Sequence, residues 1–88
     1  MEFSEDETFD AARLGVSFTA VVDGSRIPCF IMAAVLCDAF GASDVSEEGL
    51  LASFRNNRRK IQHIASQKIN NHRFDENSRI IIQSGQIV

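Results

Sequence analysis

The chain reads as an α+β domain, an antiparallel sheet covered on one face by two helices in the order β-β-α-α-β. Two observations point there. Hydrophobic alternation with period two fills Val16–Ile31 and returns at Arg79–Gln83, while period 3.6 governs the sequence between them. Turn residues also fall at the joints of these segments. The 88 residues suffice for one core and no more.

Residues 1–10 carry five acids, Glu2, Glu5, Asp6, Glu7 and Asp10, and are expected to form a loose arm before a single domain at 11–88. From Leu14 or Gly15 the pattern alternates. Val16, Phe18, Ala20 and Val22 fall on one face of a strand, Ser17, Thr19, Val21 and Asp23 on the other. Asp23-Gly24-Ser25 supplies a hairpin turn, since Gly accepts positive φ and Asp bonds its own backbone. Arg26 to Ile31 makes the return strand, and Pro28 places at least one side of it at a sheet edge.

Ala33, Ala34, Val35, Leu36, Ala39 and Phe40 form a short helix that Gly41 closes in the left-handed conformation. Ser46 caps a second, long helix, with Glu47 and Glu48 at the positive end of its dipole. This helix is expected to run unbroken to about Ile69 and to end at Asn70-Asn71-His72-Arg73. Phe74–Ser78 reads as a loop, Arg79–Gln83 as the last strand, and Ser84-Gly85 as a break before a short tail.

The long helix holds the main hint of a partner. Between Gly49 and Phe74 there is no acid, yet six of the nine basic residues lie there, in a chain of net charge −3. At roughly 100° per residue, Leu50, Leu51, Phe54, Ile61, Ile64, Ala65 and Ile69 share one stripe. Arg55, Arg59 and His63 point away from it, and Lys60 lies on a flank. Asn57 and Arg58 break the pattern by projecting into or beside the stripe. A guanidinium there must find partners. Either Arg58 reaches the sheet edge or pairs with Asp23, Asp38 or a C-terminal carbonyl, or it lines a small anion or ligand pocket with Asn57.

Three functional classes follow. The first is a noncatalytic accessory or protein-interaction module, including self-association, displaying Arg55, Arg59, Lys60 and His63. The second is weak, nonspecific nucleic-acid association. The face neutralises only three or four phosphates, and the acidic turn Asp44, Glu47, Glu48 opposes a helix-turn-helix mode. The third is small-ligand or anion binding near Arg58. The acidic arm offers another use of the basic face by folding over Arg55, Arg59 and Lys60. No Ser/His/Asp set, phosphate loop or carboxylate pair can be placed, so no catalytic residue, cofactor or metal ligand is assigned. Cys29 and Cys37 fit no zinc or CxxC spacing and read as small apolar residues in a reducing cytoplasm. The acidic start is no signal peptide, and the longest apolar run, Cys29–Cys37, falls short of the roughly 20 residues a membrane helix needs.

The runs Val16-Ser17-Phe18-Thr19-Ala20-Val21-Val22-Asp23-Gly24, then Ile27 and Cys29, and Leu36 to Gly41 resemble a small bacterial family. So does Leu51 to Ile61, with Phe54, Asn57, Arg58 and Ile61, followed by Ala65 and Ile69. The family is the domain of unknown function numbered 1488. The resemblance implies a compact α+β fold in bacterial cytoplasm, with no established activity, cofactor or site residue. One departure is visible. The family pattern starts the short helix with a Ser cap and an acid, where this chain has Met32-Ala33-Ala34.

Overall fold

A computed structural model of the chain describes residues 1–83. Five strands and three helices follow in the order β1 (Glu2–Phe3), β2 (Thr8–Asp10), β3 (Gly15–Val22), β4 (Ser25–Met32), α1 (Ala33–Ala39), α2 (Glu47–Asn56), α3 (Arg58–Asn70) and β5 (Ile80–Ile82). The class is α+β. Three finer expectations are corrected: the sheet is mixed, the helices number three, and the arm is paired.

The hairpin β3–β4 forms the centre. All eight residues of each strand pair, from Gly15 with Met32 to Val22 with Ser25. Asp23 and Gly24 both take positive φ, 51° and 82°, which is the twist a two-residue turn needs to match right-handed strands. Gly15 is required for a different reason. A Cβ there would strike the carbonyl of Ile31 and the ring of Phe30.

β5 lies beside β4 and runs parallel to it, Cys29 facing Ile80 and Ile31 facing Ile82. The helical connection carries the chain back before β5 begins, so β5 enters in the direction of β4 rather than against it. Alternation alone does not report direction, which is why an antiparallel sheet was expected. Pro28 stands one residue before this ladder starts, so its missing donor costs no bond to β5.

The expected single helix breaks at Asn57, whose φ and ψ are −120° and 21°. Its side-chain amide donates to the carbonyls of Ser53 (2.9 Å) and Phe40 (3.1 Å). An Asn amide that competes for helix carbonyls in this way favours an interruption. The Ser53 hydroxyl also donates to the Phe40 carbonyl, at 2.9 Å, so the end of α1 is fastened to the α2–α3 joint. The remaining helix ends match the sequence. Ser46 accepts from the Gly49 N–H at 3.0 Å, and Gly41 closes α1 at φ 74°. Met32 provides no side-chain cap for α1. Instead the backbone N–H of Ala33 donates to the Leu14 carbonyl at 3.0 Å.

The helices bury one face of the sheet. Val16, Phe18 and Ala20 of β3, Cys29 and Ile31 of β4, and Ile80 and Ile82 of β5 meet Leu36, Leu50, Phe54, Ile61, Ala65 and Ile69 in one core. At roughly 25 cal/mol per Å² of apolar area, this burial is the main term holding the layers together. The expected Ser84-Gly85 break lies outside the described residues.

Candidate interaction site on the helical face

The residues expected to be a loose arm pair with the free edge of β3. Glu2 and Phe3 face Val21 and Ala20, and Thr8 to Asp10 face Ser17 to Gly15. Between these pairs, residues 4–7 oppose only Phe18 and Thr19. The two surplus residues make an irregular bulge in the edge, a device that re-aims a side chain. Here it turns Glu7 toward the helices.

Glu7 is where Arg58 finds its partner. Arg58 Nη1 donates to Oε1 and Nη2 to Oε2, each at 2.8 Å, and Arg55 Nε adds a third bond to Oε2 at 2.9 Å. The Glu7 side chain is 6% exposed and the Arg58 side chain 25%. The Arg58 guanidinium carbon lies 5.5 Å from the centroid of the Phe54 ring, a favourable cation–π placement. The Arg58 hydrogen bonds hold the Glu7 pKa down to about 2, against the opposing effect of burial and with help from Arg55. A two-pronged, three-bond clamp therefore welds the edge strand to the helical layer. Asp23 and Asp38 play no part in it, and the carbonyls of the last five residues lie outside the described residues.

The six residues singled out in the sequence thus divide. Arg55 and Arg58 point to Glu7, and Asn57 holds the helix joint. Arg59, Lys60 and His63 are exposed and make no ion pair or side-chain hydrogen bond among the described residues. These three flank an open groove of about 390 Å³ whose apolar walls are Phe40 and Ile64. The sequence did not pair Phe40 with Ile64, because the contact depends on where the α2–α3 joint places α3. A larger concavity of about 550 Å³ lies toward the other end of α3, between Gln67, Lys68, Asn71, Arg73 and Gln83.

Among the described residues, no three His, Cys, Asp or Glu side chains gather as a metal site would require. Both cysteines are free thiols, and burial pushes Cys29 up to about 12, leaving it protonated and inert. No helix among the described residues is long and apolar enough to cross a membrane.

The fold and the clamp define a small α+β domain with a mixed five-stranded sheet. The chain belongs to the family described as "Protein of unknown function (DUF1488)", whose model matches residues 1–82. The match includes the strands β1 and β2. A solved structure of a family member from Shewanella loihica PV-4, itself a protein of unknown function, is similar to this chain with a TM-score of 0.86 and 28% identity. That similarity covers 92% of this chain and 89% of the other. No curated protein matches the chain.

Proposed function

We propose that this chain is a noncatalytic interaction module of the cytoplasm that docks an acidic, partly apolar protein segment on the outer face of α3. The observation that carries this reading is the groove between Phe40 and Ile64, rimmed by Arg59, Lys60 and His63, which have no ion-pair partner among the described residues. An apolar centre inside a charged rim is the usual anatomy of a protein-binding patch. The rim charge selects acidic partners and raises their association rate.

The anion reading near Arg58 loses ground for a physical reason: Glu7 already occupies the fork that an anion would use. Nucleic acid also becomes less attractive. With Arg55 and Arg58 committed to Glu7, Arg59 and Lys60 remain for about two phosphates, giving a salt slope near −1.8.

Titration of the isotope-labelled protein with a short peptide of Glu and Leu, and separately with random-sequence duplex DNA, tests the reading. The peptide is expected to shift amide signals of Phe40 and of residues 59–64, and Arg59→Glu with Lys60→Glu is expected to abolish the response. Both side chains being exposed, the double reversal should alter stability by no more than about 1 kcal/mol. Shifts produced by DNA alone, or peptide shifts elsewhere, would overturn it.

A further inference from the structure

The α1–α2 loop carries a surface complementary to the groove. Val45 is 48% exposed, one of the few large apolar side chains so displayed, and Asp44, Glu47 and Glu48 around it are all exposed. An apolar knob ringed by acids thus stands on the same molecule as an apolar groove ringed by cations. The two sit at opposite ends of α2. Val45 precedes its first turn, while the Phe40 carbonyl is held by Ser53 and Asn57 at its last. Ten residues of helix separate them by about 15 Å.

We infer that the partner of this groove is a second copy of the chain, its knob at Asp44–Glu48 seated against Phe40, Arg59, Lys60, His63 and Ile64. The inference rests on the proposed docking face and names its occupant. A two-fold axis passing beside α2 and perpendicular to it sets the two α2 helices antiparallel, so each knob meets the other copy's groove and both contacts form at once. The arrangement brings acids at the positive end of one α2 toward cations near the far end of the other, adding charge complementarity to apolar burial. Mutual contact closes the assembly at two, whereas a single knob-to-groove contact would propagate.

Sedimentation equilibrium of the full chain, from micromolar to millimolar concentration, is expected to show a reversible dimer that weakens as salt rises. Arg59→Glu with Lys60→Glu, or Glu47→Lys with Glu48→Lys, should each weaken it by roughly tenfold or more. Mixing the two reversed variants should restore association, because every contact in the mixed dimer again joins opposite charges. Circular dichroism confirms folding, and the single changes Lys60→Glu and Glu48→Lys replace a double variant that fails to fold. A monomer throughout the range overturns the inference, as does a mixture no tighter than its components. If the Glu and Leu peptide still shifts Phe40 and residues 59–64 in such a monomer, the docking face stands and only its occupant is wrong.

Discussion

Glu7 and Asn57 do the most at the scale of single residues, and both act by satisfying groups that burial would otherwise penalise. Removing the Glu7 charge leaves the guanidinium of the half-buried Arg58 side chain facing a neutral amide. Glu7→Gln is therefore expected to cost about 1–3 kcal/mol in urea unfolding at neutral pH. The sign of its pH dependence follows from the depressed pKa. Below about 4.5 the unfolded chain takes up a proton that the folded clamp refuses until about 2. Stability is thus fully present above that window and declines through it as pH falls. The difference between wild type and Glu7→Gln should shrink across the same window. Asn57→Ala removes both amide bonds from the Phe40 and Ser53 carbonyls, and a loss of about 1–2 kcal/mol is expected from the same measurement.

Elements that rest on local chemistry were legible in the sequence, and those that rest on distant partners were not. The hairpin, the Ser46 cap, the Gly41 stop and the final strand are specified within a few residues of themselves. Gly24 shows this most simply. Its φ of 82° suits Gly, nothing crowds its missing Cβ, and Gly24→Ala should cost about 1 kcal/mol of conformational strain, read as a lowered urea midpoint with unchanged slope. The break at Asn57 was half visible. Asn57 and Arg58 are intruders on the apolar stripe of an unbroken helix. The interruption resolves the intrusion, because it ends one stripe and begins another. β1 and β2 were missed because two or three paired residues carry too little alternation to register. Their stability comes from Phe3 and Phe9 packing on the core and from Glu7 reaching the helices. The direction of β5 was hidden for a similar reason, since it depends on how the chain crosses the helical layer.

For the whole molecule, the segregation of charge in the sequence serves the fold through Glu7, and under the proposed docking it serves a second end. The charge pattern offers the acidic N-terminus as a cover for the basic helix, and the structure realises part of that cover. One acid, Glu7, takes the two arginines nearest the core, while Arg59 and Lys60 stay outside. The same division separates what holds the fold from the face proposed for docking. Its structural half makes a definite claim: residues 2–10 are a working edge of the sheet, locked to α2 and α3 through one carboxylate.

A double-mutant cycle of Glu7→Gln and Arg58→Gln, followed by urea unfolding at neutral pH, tests that claim most directly. The clamp predicts a coupling of about 1–3 kcal/mol, with the double variant losing much less than the two single losses combined. Additive losses within about 0.3–0.5 kcal/mol would contradict it, for Glu7 and Arg58 would then act independently and the arm would not be fastened to the helices.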